Sequence, residues 1–237
     1  MNKIRILQVI FAEPIEPWEL DAFRGAIAGV VGKDHILFHN HNNTPGAEGY
    51  VYRYPRIQYK LIRRRPVLYC LDEGVEEIHH FFREHRGVLL LNGRSYDIKV
   101  QRVKADQFVL QVWDNWTDYH ISKWHPIRTE NYKEWNECKE KGEPEKMLFL
   151  EKILRNNIVT MLKHLESSTE KDVKVRIQRI VKEGVLPYKH NPITNRKNNI
   201  ISISADFSTN VVLPEYIGLG SHVSVGYGMV RRIVETK

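Results

Sequence analysis

The chain of 237 residues has only two cysteines, Cys70 and Cys138, and no CxxC pair. This excludes a disulfide-stapled scaffold and a zinc site built on cysteine pairs. The sequence contains no run of roughly 20 apolar residues, the length that a membrane-spanning helix needs. Its N-terminus also lacks the apolar stretch and small-residue cleavage site of a signal peptide. We therefore expect a soluble, cytoplasmic protein.

Nucleotide-binding fingerprints are absent as well. The glycine-rich segment, residues 217–228, has no Lys between its paired glycines and no GK[ST] sequence, which argues against NTP hydrolysis. The residues after it have the pattern of a strand, whereas a dinucleotide-binding loop opens a helix. The sequence thus excludes a Rossmann site.

Positive charge is in moderate excess, with 36 Lys+Arg against 29 Asp+Glu and a net charge of +7. The 11 histidines are counted as neutral, and next to phosphate some of them would become cationic. Such an excess favours a polyanionic partner such as nucleic acid, although solubility alone also accounts for it. Apolar residues make up 42 % of the chain, which is enough to form a core.

The first half of the chain predicts a regular order of strands and helices. A β-branched strand opens it, a helix with one apolar face follows, and a basic turn joins two further strands into a hairpin. A second amphipathic helix and another strand complete the unit. In order, these elements cover residues 4–11, 18–31, 56–62, 66–71, 75–85 and 87–91. The order β-α-β-β-α-β is that of the ferredoxin-like fold.

The second half is less regular. It predicts strands and one long helix, before the glycine-rich segment and a final strand, over residues 107–113, 145–165, 172–182 and 200–213. We interpret it as a second, degraded copy of the first unit. The expected fold is therefore α+β, with two tandem ferredoxin-like (RRM-like) domains over residues 1–105 and 106–237 and a C-terminal glycine-rich loop.

The glycine-rich segment is the most specific feature of the sequence. Two Gly-x-Gly pairs enclose two serines and a histidine, and two arginines follow. The candidate anion-binding residues are Gly218, Gly220, Ser221, His222, Gly226, Gly228, Arg231 and Arg232. Glycine lets backbone amides approach a ligand closely, and successive amides can form a nest for phosphate oxygens. A tight β-turn without a ligand is the alternative, and the polar neighbours favour anion binding.

His39 and His41 are the candidate catalytic pair. Imidazole titrates near neutral pH, so one ring of such a pair can act as a general base and the other as a general acid. Two alternatives are a pair of exposed loop histidines and a metal site. A metal site needs a third or fourth ligand at suitable spacing, and the sequence offers none nearby.

Residues 213–230 resemble the C-terminal glycine-rich loop of the repeat-associated (RAMP) superfamily. Within it they are most similar to the CRISPR-associated endoribonucleases that cut repeat RNA into guide RNAs. Three N-terminal segments resemble the subgroup of type I-B systems: Phe23-Arg-Gly-Ala-Ile-Ala, His39-Asn-His41 and Tyr52-Arg-Tyr-Pro-Arg-Ile-Gln-Tyr-Lys60. The resemblance implies two ferredoxin-like domains, in agreement with the order of elements above.

The resemblance also implies site residues. It places the catalytic histidine pair on His39 and His41. A tyrosine downstream often assists in this subgroup, and Tyr50, Tyr52 and Tyr54 all fit, with Tyr52 favoured. Which histidine acts as base and which as acid stays open.

The strand that follows these tyrosines has a polar face. Strict alternation places Arg56, Gln58 and Lys60 on the same side. Lys60 is the candidate for stabilising charge at the scissile phosphate, and Arg56 is a candidate for binding RNA. A half-exposed strand without any ligand is the alternative.

Three functions are therefore expected in order. The first is a metal-independent endoribonuclease, without a cofactor, that cuts CRISPR repeat RNA by attack of the 2′-hydroxyl group and leaves 2′,3′-cyclic phosphate and 5′-hydroxyl ends. The second is a non-catalytic RNA-binding subunit of a CRISPR ribonucleoprotein, and the third is an unrelated basic enzyme whose histidine pair binds metal. The resemblance implies pre-crRNA and mature crRNA as partners. A CRISPR interference complex and a second copy of the chain, as a homodimer, are further candidates, and no membrane is expected.

Overall fold

The computed structural model describes residues 3–32, 34–39, 41–42, 49–50, 53–167, 171–191 and 196–234, with the backbone alone at 41, 42, 49, 50, 187–191 and 196–199. The chain divides into two compact units. The N-terminal unit is formed by Asn2–Val109 and Ser224–Gly226, and the C-terminal unit by Leu110–Val223 and Tyr227–Lys237. No helix within the described ranges is long and apolar enough to cross a membrane.

The N-terminal unit contains both strands and helices. In chain order it has β1 (Lys3–Phe11), α1 (Leu20–Val31), α2 (Ile36–His39), β2 (His41–Asn42), β3 (Gly49–Tyr50), β4 (Ile57–Ile62), β5 (Arg65–Leu71), α3 (Glu73–Glu84), β6 (Val88–Leu91), β7 (Arg94–Asp97) and β8 (Val100–Val109). Four of these strands form an antiparallel sheet in the order β4-β5-β1-β8. They are the second, third, first and fourth strands of a β-α-β-β-α-β unit.

The strand predicted over residues 87–91 exists as β6, but its expected place as the fourth strand of the sheet is wrong. It pairs with β7 in a separate hairpin, and β8 takes the edge of the sheet beside β1. The hairpin turn is Asn92-Gly93, with both residues at positive φ, and Asn-Gly is the strongest short-range hairpin signal. Most of the edge strand β8 escaped prediction because its exposed, mostly polar sequence lacks an apolar alternation.

Aromatic side chains fill the core of the N-terminal unit. The Phe23 ring of α1 meets those of Phe11, Tyr59 and Tyr96 edge-on, with centroids 5.3, 6.3 and 5.6 Å apart. All four side chains are fully buried, and this edge-to-face arrangement is favourable for aromatic rings. Tyr59 therefore has a fixed position in β4.

The C-terminal unit repeats the same strand order. In chain order it has β9 (Gln111–Trp124), α4 (Tyr132–Lys141), α5 (Glu143–His164), β10 (Val175–Asn191), β11 (Arg196–Val212) and β12 (Met229–Arg232). Its antiparallel sheet has the order β10-β11-β9-β12, again the second, third, first and fourth strands. The glycine-rich segment stands in the chain where the second helix would come. This confirms the prediction of two tandem ferredoxin-like units with a degraded second copy.

Residues 107–113, predicted as one strand, belong to two. β8 ends at Val109 and β9 begins at Gln111. The apolar alternation continues across Leu110, so periodicity alone does not reveal the break. The long predicted helix is confirmed as α5, which begins just after Gly142 and has Pro144 in its first turn, where proline is favoured.

Candidate functional site

His39 is the last residue of α2, and it is held by one contact from α1 and one from the residue that follows α1. Its ring Nε2 lies 2.8 Å from the carbonyl oxygen of Gly32, directly after α1. Arg24 of α1 donates from Nη2 to the backbone carbonyl of His39 at 2.5 Å. Because a carbonyl can only accept, Nε2 carries a proton, which leaves Nδ1 as the ring nitrogen that can take up or release one.

The residue before His39 is anchored in the core. Phe38 is 1 % exposed, and its carbonyl oxygen accepts a hydrogen bond from Tyr59 Oη at 3.4 Å. Burial raises the pKa of Tyr59 far above its usual value, so the phenol stays protonated and remains a donor. Core packing thereby fixes the backbone that carries His39.

His41 begins β2, and its backbone pairs with that of Tyr50 in β3. Of the three candidate tyrosines, Tyr50 is thus the one whose backbone lies opposite His41. Tyr52, the favoured one, lies outside the described residues, and Tyr54 is half-buried. The identity of the assisting tyrosine stays a prediction.

The polar face of β4 is not open to solvent, so the expectation of an accessible polar row is wrong. Gln58 and Lys60 are fully buried. The Arg56 side chain is 14 % exposed and forms ion pairs with Asp72 and Glu73, each at 2.9 Å. Alternation separates the two faces of a strand but does not tell whether the second face is also covered. In this conformation neither Arg56 nor Lys60 presents a free charge to a phosphate group.

Lys60 is as inaccessible as an apolar core residue. Burial lowers its pKa from 10.5 to about 7, because the charged form loses its hydration. The unfolded chain therefore binds this proton more tightly than the folded protein. The resulting loss of stability grows as the pH falls from about 10.5 to about 7 and stays constant below that range.

Relative to the wild type, the Lys60→Met variant should gain a few kcal/mol in free energy of unfolding between about pH 9.5 and neutral pH, since each pH unit between the two pKa values is worth about 1.4 kcal/mol. The gain should shrink as the pH is raised, because the unfolded chain then also loses the proton. Urea denaturation of both proteins at neutral pH and at about pH 9.5 measures the difference. A stability difference between the two proteins that is the same at both pH values would contradict a cost of burying this charge. Full cleavage activity of Lys60→Met would remove its candidate catalytic role.

Two glycines of the glycine-rich segment are required by close packing in the C-terminal unit. Gly228 has a φ of 62°, and an added Cβ would lie 2.0 Å from the carbonyl oxygen of Leu219. Gly220 has a φ of 90°, and its Cβ would lie 2.8 Å from Trp124 Nε1 and 3.0 Å from Asn157 Oδ1. A tight turn accounts for both positions without any ligand.

Several amides of this segment are already used within the protein. The N–H groups of Leu219, Tyr227 and Gly228 donate to the carbonyl oxygens of Gly228, His222 and Lys123, respectively. They do not form an open nest for phosphate oxygens. Anion binding by the segment therefore has to use its other groups.

The remaining predicted residues of the segment lie at separate places. Gly218 forms an isolated β-bridge with Met229. Gly226 belongs to the N-terminal unit, where an added Cβ would lie 2.8 Å from Leu20 Cδ2. Arg231 and Arg232 are exposed on β12, and long exposed cations of this kind are suited to phosphate contacts.

Ser221 and His222 line a cleft of about 490 Å³ in the C-terminal unit. His222 Nδ1 lies 3.2 Å from His125 Nδ1, and Ser221 Oγ accepts hydrogen bonds from Arg128 Nε and Nη2 at 3.0 and 2.8 Å. Burial lowers the pKa of His125 to about 3, so this ring is neutral near pH 7. The cleft thus offers a polar imidazole pair, a hydroxyl group and an oriented guanidinium.

Sequence reasoning identified Ser221 and His222 but missed His125 and Arg128. The available signal was weak: His125 is a polar residue directly after the buried Trp124 at the end of β9. Its contact with His222 joins residues 97 positions apart, and periodicity carries no information on such a pairing. Arg24 lay inside a segment that resembled the family, but nothing in the sequence indicated its bond to His39.

Comparison with known proteins covers nearly the whole chain. The Cas6b N-terminal domain family matches residues 2–109, and the Cas6b C-terminal domain family matches residues 111–233. The chain belongs to the Cas6b family. The resemblance inferred from the sequence is thereby confirmed.

Individual proteins are also similar to this chain. The crystal structure of a Cas6b is 25 % identical in sequence, and the match covers 98 % of this chain and 100 % of the Cas6b chain with a TM-score of 0.83. The crystal structure of a CRISPR RNA processing endoribonuclease Cas6b is 22 % identical with the same coverage and a TM-score of 0.72, which shows the same fold. An uncharacterized protein of Methanocaldococcus jannaschii is 32 % identical over 159 residues, which are 63 % of this chain and 99 % of that protein.

Proposed function

We propose that this Cas6b chain is a CRISPR RNA processing endoribonuclease that cuts repeat RNA without a metal ion. Family membership supports the endoribonuclease activity, and a Cas6b with the same fold is a CRISPR RNA processing endoribonuclease. The observation that carries the chemistry is the anchoring of His39. Its Nε2 is bonded to Gly32, and its backbone is held by Arg24.

The proposed mechanism divides two proton transfers between His39 and His41. One imidazole takes the proton of the 2′-hydroxyl group as the 2′ oxygen attacks the phosphorus atom. The other donates a proton to the 5′ oxygen as its bond to phosphorus breaks. In His39 the exchanging nitrogen is Nδ1, because Nε2 is committed to the carbonyl. The products are a 2′,3′-cyclic phosphate and a 5′-hydroxyl end.

The C-terminal unit supports the proposal with groups suited to RNA. Exposed Arg231 and Arg232 on β12 offer charges for backbone phosphates. The cleft with Ser221, His222 and Arg128 offers donors for a phosphate or a base edge. We propose that these residues bind the repeat RNA. Their contacts with phosphate groups would make the affinity depend on salt concentration.

A non-catalytic RNA-binding subunit is the second candidate. Two cations that the sequence suggested for the catalytic site favour this candidate, because neither presents its charge to a phosphate group. Arg56 is ion-paired and Lys60 is buried. Under this alternative the chain would bind repeat RNA and leave it intact.

Incubation with end-labelled CRISPR repeat RNA separates the two candidates. The proposed function predicts defined fragments in the presence of a chelator, whereas shifted but intact RNA would support binding alone.

In either case Arg231→Ala should weaken binding and reduce the slope of log K against log salt by about 0.7–0.9, the value for one phosphate contact. Arg86→Ala, which removes another exposed arginine, should leave both unchanged. An unchanged slope in Arg231→Ala would remove that residue from the RNA-binding surface.

A further inference from the structure

Three metal-ligating side chains converge on the N-terminal unit. His35, Glu77 and His80 each place one ligand atom so that all three atoms lie within 4.8 Å of one another. His35 Nδ1 and Glu77 Oε2 are 3.2 Å apart. Among the residues whose side chains are described, no other group of His, Cys, Asp and Glu converges in this way. The cluster includes neither His39 nor His41.

Two elements bring the cluster together. Glu77 and His80 are three residues apart on α3, so they share one face of the helix. His35 directly precedes α2, and its ring lies against that of His80 with centroids 3.8 Å apart. Since His35 and Glu77 lie 42 positions apart, spacing along the sequence does not reveal this group.

The donor set has the chemistry of an open zinc site. Two imidazoles and one carboxylate, with a fourth position left for water, are ligands that Zn²⁺ uses in proteins. With metal–ligand distances of about 2.1 Å, tetrahedral ligand atoms lie about 3.4 Å apart, which is close to the 3.2 Å observed between His35 and Glu77. Their side chains are 23 % and 32 % exposed, so an ion has access. We propose that His35, Glu77 and His80 bind one divalent transition-metal ion, with Zn²⁺ as the representative.

One neighbouring side chain has to adjust when the ion binds. Arg83 Nη2 lies 3.3 Å from His80 Nδ1. The same guanidinium pairs with Glu84, and its side chain is 62 % exposed. Arg83 can therefore leave the ring for solvent while it keeps its carboxylate partner.

The ion would tether the segment before α2 to helix α3. Because α2 ends at His39, this tether would stabilise the chain that supports the candidate catalytic ring. The ion would take no part in the proton transfers. Binding to the folded state alone should raise the unfolding temperature as the concentration of Zn²⁺ increases.

Equilibrium dialysis of the full chain against Zn²⁺, followed by metal analysis, tests the site. The wild type should hold one more tightly bound Zn²⁺ per chain than either Glu77→Gln or His80→Ala. Loss of an outer-shell partner already costs about 10–100-fold in metal affinity, so loss of a direct ligand should cost at least as much. Thermal unfolding provides a second readout, with a Zn²⁺-dependent rise in the wild type that both variants lack.

Two further variants decide which histidines bind the ion. His164→Ala, at a half-buried histidine of α5, and the double variant His39→Ala/His41→Ala should both keep the ion. Equal Zn²⁺ content and affinity in the wild type, Glu77→Gln and His80→Ala would overturn the proposal, as would loss of the ion in the double variant.

Cleavage of repeat RNA in chelator is measured in parallel. Cleavage without zinc binding refutes only this site, and zinc binding without cleavage refutes only the proposed function.

Discussion

Replacing His39 with alanine should slow cleavage of CRISPR repeat RNA by about 10²–10⁴-fold, the usual contribution of a positioned proton-transfer group. The variant loses Nδ1, the nitrogen that the contact with Gly32 leaves for proton exchange. His41→Ala should have a loss of the same order. The double variant should lose much less than the product of the two, because the two rings act in one concerted reaction. Single-turnover rates with enzyme in excess measure these losses apart from binding.

Replacing His39 with glutamine separates the loss of proton transfer from the loss of the structural contact with Gly32. His39→Gln retains an amide donor for the Gly32 carbonyl but cannot exchange a proton at neutral pH. It should therefore be as slow as His39→Ala while it unfolds at the same denaturant concentration as the wild type. His164→Ala should cleave at the normal rate. Wild-type cleavage by the double alanine variant would contradict the assignment of the histidine pair.

Replacing Gly228 with alanine should destabilise the protein by more than about 2 kcal/mol, since the left-handed backbone alone costs an L-residue about 1–2 kcal/mol. An added Cβ would also lie 2.0 Å from the Leu219 carbonyl oxygen, so the backbone has to move. This movement breaks the bond from Leu219 N–H to the Gly228 carbonyl. Chemical denaturation measures the loss, and hydrogen exchange should show faster exchange at the Leu219 amide.

Gly184→Ala is the matched control for this substitution. Gly184 lies in β10 of the same unit, and an added Cβ there meets nothing within 4 Å. Its stability should change by no more than about 0.5 kcal/mol, the range of substitutions outside special positions. Equal losses from Gly184→Ala and Gly228→Ala would contradict a packing requirement at Gly228. A stable Gly228→Ala protein with weakened repeat binding would instead support a direct role of this loop in binding.

Hydrophobic periodicity and turn residues in the sequence predicted many of the helices and strands. The apolar face of residues 18–31 predicted α1, and the basic turn between an alternating segment and an apolar run predicted the β4–β5 hairpin. The strand β8 was not predictable in this way, because an exposed edge strand needs no apolar face. The β6–β7 hairpin had a usable signal in Asn92-Gly93, which sequence reasoning passed over.

The candidate site was predictable only in part. The family resemblance identified His39 and His41 as the catalytic pair, but the contacts of His39 with Arg24 and Gly32 depend on where α1 ends relative to α2. Alternation predicts which side of a strand Lys60 lies on but not whether that side is exposed to solvent, and the structure buries it. The contacts between His125 and His222 and between His35 and Glu77 span long stretches of sequence. They follow from tertiary packing, which a single sequence does not display.

The ends of the cleaved repeat RNA test the central claim most directly. Repeat RNA is incubated with the wild-type chain in excess chelator, and mass spectrometry identifies the termini of both fragments. Proton transfer by imidazoles with attack of the 2′ oxygen predicts a 2′,3′-cyclic phosphate upstream of the cut and a 5′-hydroxyl group downstream. A 3′-hydroxyl with a 5′-phosphate, or cleavage that appears only when Mg²⁺ is restored, would contradict it.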